Sequence, residues 1–316
     1  MIVRERPSGL RLFLLLRGSV LPRILPSLAL NMFVAALVTV SHGDLFKLKI
    51  TLTPIPFSLI GLALAIFLGF RNNAAYDRYW EGRKLWGEIV HRSRSLSRQC
   101  LTLIDGPDEE MDPRNMMDVR VRMIRRTIAF ACALKHLLRG ADPAGAVAEL
   151  RPHLLLSEWK QCAQVENRPN FLLQSMGRDL RGCLQTGRID PCLAGAIDDS
   201  LTAMAAAAAS CERIKGTPIP FSYTLLLHRT AYLYCFLLPF GLVDSIGFMT
   251  PFVVGIVAYT FFGLDALGDE IEEPFGKEPN DLPLDAICRT IEINMLEALG
   301  VQEVPAALAP VDYCLS

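Results

Sequence analysis

Asp265, Asp269 and Glu272 are spaced four and three residues apart, so a helix would place all three carboxylates on one face. Such a set can hold Mg²⁺, as in membrane enzymes that ionise a diphosphate, or it can pair with basic side chains. The enzymatic use calls for a second acidic motif facing the same cavity, and no apolar stretch of the chain carries one. Hydrolytic chemistry has less to stand on. G-x-S-x-G and HExxH are absent, and His42, His91, His136, His153 and His228 are far apart in sequence. Another group of residues needs no reactive atom. Leu62, Ile66 and Phe70 recur every four residues, beside a stripe of Gly61, Ala65 and Gly69. Small residues at that repeat let helix backbones approach within a membrane. Large apolar side chains in a row can close a pore by expelling water. The plainer reading of the large stripe is contact with lipid or with neighbouring helices.

These residues need spans to carry them. Ile24–Gly43, Ile50–Phe70 and Ser245–Leu264 carry no formal charge and are long enough to cross a bilayer, which takes about 20 residues. Thr230–Val243 is shorter, but Leu225–Leu227 extend it past His228 and Arg229; its alternative is a buried core helix. Arg4, Arg6, Arg11, Arg17 and Arg23 precede the first span, and Arg71, Arg78, Arg83 and Lys84 follow the second. The first connection has only Lys47 and Lys49. The positive-inside rule therefore puts both termini in the cytoplasm and the short connection near Asp244–Gly247 outside. The expected organisation is a cytosolic N-terminal segment (1–23), two transmembrane helices (24–71), a large cytosolic helical region (72–223), two more transmembrane helices (224–266) and a cytosolic C-terminal segment (267–316). The basic N-terminus is interrupted by charges and lacks a small-residue cleavage site, unlike a signal peptide.

The hexapeptide TPIPFS occurs twice, at Thr53–Ser58 and Thr217–Ser222, each time before an apolar run. Proline fixes φ and lacks a backbone donor, so Thr-Pro-Ile-Pro reads as a stiff extended lead-in. Pro56 or Pro220 would open the helix, or Ser58 and Ser222 would cap it. On this topology the two copies start helices at opposite membrane faces, a hint of an inverted arrangement. From Arg71 onward no Gly or Pro occurs before Gly82, so the second span's helix is expected to run on into the cytoplasm. In the middle region Asp112-Pro113 reads as a helix start, with the run stopped at Arg139-Gly140. Asp142-Pro143, Arg151-Pro152, Arg168-Pro169 and Asp190-Pro191 mark further helices, and AMAAAAAS is the strongest helix-former run.

Composition agrees with a membrane part joined to an aqueous one. The 316 residues are 51% hydrophobic and 21% charged, with a mean hydropathy of +0.30. A net charge of −1 gives no basic field for nucleic acid. Nine cysteines without a CxxC read as reduced thiols rather than a disulfide framework or a zinc site.

The stretch from Arg71 to Trp86 carries Arg71, Asn73, Tyr76, Arg78, Glu81 and Trp86 in the pattern R-x-N-x-A-Y-x-R-Y-x-E-x-R-x-x-W. It resembles the segment after the second span of bacterial bestrophins. GLDALGDEIEEPFG, ending in Pro274, Phe275 and Gly276, resembles the segment after their fourth span. The resemblance implies an all-α membrane protein with four transmembrane helices per subunit and a large cytosolic helical region. It also implies a homopentamer around a central pore, in a bacterial inner membrane and in contact with membrane lipid. The neck of that pore would be Leu62, Ile66 and Phe70, and a second, cytosolic constriction would fall near Leu180, whose alternative is a core or surface leucine. Animal members carry an acidic calcium clasp after Pro-Phe-Gly. Here KEPNDLPLD follows, so a tight calcium site is not expected, and Glu273, Glu278 and Asp281 are only weak metal candidates. No cofactor is expected.

Ion selectivity is not written in the uncharged neck, and the acids after the fourth span are expected to pair with Arg71 and Arg78. The closer likeness to bacterial members leans to monovalent cations, Na⁺ or K⁺, with an anion-selective channel of the same fold as the alternative. A membrane scaffold and the Mg²⁺-dependent prenyltransferase-like enzyme are the readings from other classes.

Overall fold

The computed structural model describes residues 1–4, 9, 18–41, 44, 45, 48, 49, 53–106, 111–140 and 143–316. Most of the basic residues before the first span, and Lys47, lie outside the described residues. The chain forms two compact units. One comprises Arg4–Tyr79 and Pro218–Pro274; the other comprises Met1–Val3, Trp80–Thr217 and Phe275–Ser316.

The first unit holds α1 (Leu21–Val40), the first half of α2 (Pro54–Leu103), α8 (Phe221–Ile246) and α9 (Thr250–Glu272). A two-residue hairpin, β1 (Asp44–Leu45) with β2 (Leu48–Lys49), lies between α1 and α2. Leu21–Val40, Ile55–Leu103, Pro191–Gly216 and Phe221–Glu272 are long and apolar enough to cross a membrane, the last containing both α8 and α9. The chain is an integral membrane protein with an almost wholly helical fold. Leu64 and Leu68 of α2 pack with Ile24, Leu227, Ala231, Cys235, Phe261 and Phe262, and a second cluster joins Ala35, Phe57, Leu238 and Val254. Glycine allows two of the close approaches. A methyl group added at Gly241 would lie 2.7 Å from the Phe57 ring, and one added at Gly61 would lie 2.6 Å from the Tyr234 hydroxyl.

The two hexapeptides start their helices differently. α2 begins at Pro54 itself, so the first copy is not an extended lead-in; Pro54 and Pro56 lie in the first turn, where N–H groups have no intrahelical acceptor and their loss is harmless. α8 begins after Pro220, which leaves Thr217-Pro218-Ile219 outside the helix, and the Ile219 N–H donates to Glu272 Oε1 at 2.9 Å. Ser58 and Ser222 lie inside their helices rather than at the N-caps.

The second unit contains the rest of α2 with α3 (Val119–Arg139), α4 (Pro143–Leu150), α5 (Leu156–Cys162), α6 (Arg168–Gln185), α7 (Pro191–Gly216) and α10 (Leu284–Ala298). Gly82 and Gly87 do not interrupt α2, which is helical without a break for 50 residues. α3 starts later than Asp112-Pro113 indicates. Asp112 and Asn115 instead close local turns through the Arg114 and Met117 N–H groups, and Asp118 caps the helix through the Arg120 N–H at 2.9 Å. Gly140, in the left-handed region at φ 57°, ends it as expected. α7 opens on Asp190, whose carboxylate accepts from the Cys192 N–H, and carries the alanine run. Buried cations are paired: Lys135 with Glu149 at 2.6 Å and Asp285 at 2.7 Å, and Arg126 with Glu158 and Asp179, both at 2.6 Å.

His153 adds an acid sensitivity to this unit. Burial, with Arg125 nearby, pushes its pKa from 6.5 down to about 4. The Glu292 carboxylate, 3.7 Å from its ring, does not reverse this, because burial holds the Glu292 pKa up and favours its neutral form. A depressed histidine leaves stability intact above pH 6.5 and loses it as pH falls towards 4, by roughly 3 kcal/mol at most. His153→Phe is therefore expected to flatten the fall in melting temperature between pH 6.5 and pH 4. An unchanged pH profile in that variant would exclude His153 as the cause.

Candidate functional site

The face of α2 turned away from its own subunit is the candidate site. Leu64, Leu68, Arg71 and Ala75 recur at steps of four, three and four, and all four are buried. That repeat is the core side of the helix. Leu62 and Ile66 flank Leu64 at two residues on either side, and Phe70 follows Leu68 by two. Two residues turn a helix by about 200°, which puts these side chains on the far side. They are 62%, 48% and 60% exposed in the single subunit. Three bulky apolar groups in a row thus stay about half uncovered in the single subunit.

The adjacent small-residue stripe divides. Gly61 abuts Tyr234 of α8, whereas Ala65 and Gly69 are exposed, and nothing stands within 4 Å of where a Gly69 side chain would begin. Among the described residues, the first member is the one that serves close packing.

One residue past Phe70 the helix is clamped. Arg71 is fully buried; its guanidinium donates to Asp265 Oδ1 at 2.6 Å and to Asp269, with Glu272 4.0 Å away. Asn72 donates to the Leu264 carbonyl at 3.0 Å, and Arg78 to the Glu272 carbonyl at 3.1 Å. The sequence left Mg²⁺ binding and ion pairing open for these acids. The geometry matches pairing, since Arg71 takes the positive role. Among the described residues no three His, Cys, Asp or Glu side chains converge as a metal site. The sequence reading missed two partners in this cluster. His228 Nδ1 lies 2.7 Å from Asp265 Oδ2, and Arg23 lies 3.7 Å from Asp269. The available signal for His228 was a titratable side chain set among apolar residues, but nothing local named its partner.

The remaining motif residues scatter. Asn73 and Tyr76 are exposed, Glu81 pairs with Arg213 at 2.6 Å, and Trp86 is fully buried. Pro274 and Phe275 are buried and Gly276 is half-buried. Of the weak metal candidates, Glu273 and Glu278 are exposed, whereas Asp281 is buried and accepts from the Glu278 backbone N–H at 2.7 Å, closing a turn. Leu180 is only 5% exposed. Within the single subunit it is one of the buried residues of α6, alongside Leu172, Leu173, Met176 and Cys183.

A family model described as Bacterial/Fungal Bestrophin protein matches residues 1–297. The voltage-dependent anion channel-forming protein mll4386 of Mesorhizobium japonicum is 42% identical over 313 residues, covering 99% of this chain and 96% of that protein. The voltage-dependent anion channel-forming protein YneE of Escherichia coli K12 is 44% identical over 311 residues, covering 98% of each. The crystal structure of a bacterial bestrophin homologue from Klebsiella pneumoniae superposes with a TM-score of 0.81 at 38% identity, covering 89% of this chain and 100% of that one. With sequence match, fold and paired post-span motifs in agreement, the chain belongs to the bacterial and fungal bestrophin family.

Proposed function

We propose that the chain forms a homopentameric channel for monovalent ions, with α2 from each copy lining one central pore and Leu62, Ile66 and Phe70 forming its hydrophobic neck. Membership of the family makes the protein an ion channel rather than an enzyme. The single observation that carries the neck is the exposure of these three side chains opposite a well-packed core face. A ring of copies would cover Ala65 and Gly69 and leave the bulky row pointing inward. The inner membrane, with both termini in the cytoplasm, is the location that the arginine distribution supports.

The sign of the permeant ion is where two lines of support part. The likeness to bacterial members leans to cations, while relatives of 42–44% identity carry anion-channel names, and those names fit an anion better. The neck itself is uncharged. A planar bilayer under a NaCl gradient decides: a reversal potential near the Cl⁻ equilibrium value establishes the anion channel, and one near the Na⁺ value the cation channel. No current from protein whose mass in detergent is five times 35.0 kDa would remove the open-channel reading.

A further inference from the structure

The exposed row on α2 does not end with the apolar span. The buried side of the helix reads Leu64, Leu68, Arg71, Ala75. The series on the far side reads Leu62, Ile66, Phe70, Asn73, Asp77, at steps of four, four, three and four, the repeat of one stripe on a helix of 3.6 residues per turn. Asn73 follows Arg71 by two and Asp77 follows Ala75 by two, and both are exposed. Asp77 is the first ionisable side chain on this face beyond the neck. Seven residues separate it from Phe70, which sets it about 10 Å further along the axis.

The two cations nearest the neck are turned elsewhere, whereas Lys84, seven residues beyond Asp77, is exposed on the same stripe about 10 Å further along. Arg71 is sequestered by Asp265 and Asp269, and Arg78 donates to the Glu272 carbonyl. Among the described residues Asp77 makes no hydrogen bond or ion pair, so none of their cations neutralises its carboxylate. Carboxylate rings in a narrow passage concentrate cations and repel anions.

We propose that Asp77 is a selectivity-determining residue that, repeated around the pore, forms a carboxylate ring at the end of the neck and raises the cation share of the current. This rests on the reading of α2 as the pore helix. It assigns two jobs to one helix face. The apolar row governs whether ions pass, and the ring governs which sign gathers at its mouth. The direction of the effect is the same whichever ion the native channel favours.

The test is the Na⁺/Cl⁻ permeability ratio, from reversal potentials of purified full-length protein in planar bilayers. Asp77→Asn, Asp77→Ser and Asp77→Glu are compared, with Ile66→Ala as the control for the pore itself and mass in detergent as the control for assembly. Asp77→Asn is expected to lower the ratio by about tenfold, the low end of what charge-lined clefts do to local ion concentration, and Asp77→Glu to keep it. The difference between the native protein and Asp77→Asn should shrink as salt rises from 0.01 M to 1 M on the order of the Debye length falling from 30 Å to 3 Å. Asp77→Ser gives the same reading if the Asn variant does not assemble. A native ratio in both neutral variants, with Ile66→Ala altering the current, overturns the ring and keeps the pore. Native currents from all of them, Ile66→Ala included, overturn the ring together with the pore reading beneath it.

Discussion

Asp265→Leu is expected to destabilise the first unit by about 3–5 kcal/mol, the usual cost of stranding one member of a buried ion pair. Arg71 is fully buried and Asp265 is 3% exposed, so water cannot replace the lost carboxylate. Asp269 remains in contact with the guanidinium, but it is 35% exposed and shares its charge with Arg23. The single variant therefore leaves a poorly compensated cation in the bundle. Arg71→Met combined with Asp265→Leu should recover most of the loss, because an apolar pair of similar volume removes both desolvation costs. Melting temperatures in detergent for the two single variants and the double variant measure the coupling. Strictly additive losses would mean that Arg71 and Asp265 act independently and that the clamp next to Phe70 is not an interacting pair.

The largest effect on current is expected from Leu62→Ala, Ile66→Ala and Phe70→Ala together. Each side chain is about half exposed or more in the subunit, so truncation removes little of the subunit's own core. If they form the neck, shortening them widens and hydrates the constriction, and the open probability or unit conductance should rise several-fold. Leu64→Ala and Leu68→Ala, on the same helix but facing inward, should do the opposite kind of damage. They are 3% and 0% exposed, and each should cost about 2–5 kcal/mol in stability through the cavity left behind. Loss of folding from the outward set and greater current from the inward set would reverse the assignment of faces.

Much of this was legible in the sequence, for identifiable reasons. The four-residue repeat of Leu62, Ile66 and Phe70 is a property of the helix alone, and the structure places those residues outside the subunit core. Opposite charges after two spans made the pairing of Arg71 with Asp265 and Asp269 a reasonable expectation, because an unpaired charge there is costly. What stayed hidden depended on contacts between distant segments. His228 joins Asp265 only when α8 and α9 lie side by side. Leu180 sits in a local pattern that fits a core helix and a constriction equally well, and its 5% exposure comes from the packing of α6. The two TPIPFS copies are identical, so local chemistry cannot explain why one begins at its first proline and the other after its second. In the second copy the Ile219 N–H is held by Glu272, a contact with α9.

The unbroken course of α2 has one more consequence. Its 50 residues, at about 1.5 Å each, amount to some 75 Å of helix. Residue number along it is therefore an angular dial. A single residue inserted after Phe70 would turn Leu62, Ile66 and Phe70 by about 100° against Arg71 and Asp77, so that the apolar row falls out of phase with the clamp. Seven inserted residues would bring the two halves back to within about 20° while lengthening the rod by about 10 Å. Channel function that fails with one added residue and returns with seven would show that the orientation of the outward row against the Arg71 clamp is what counts, with distance a secondary matter.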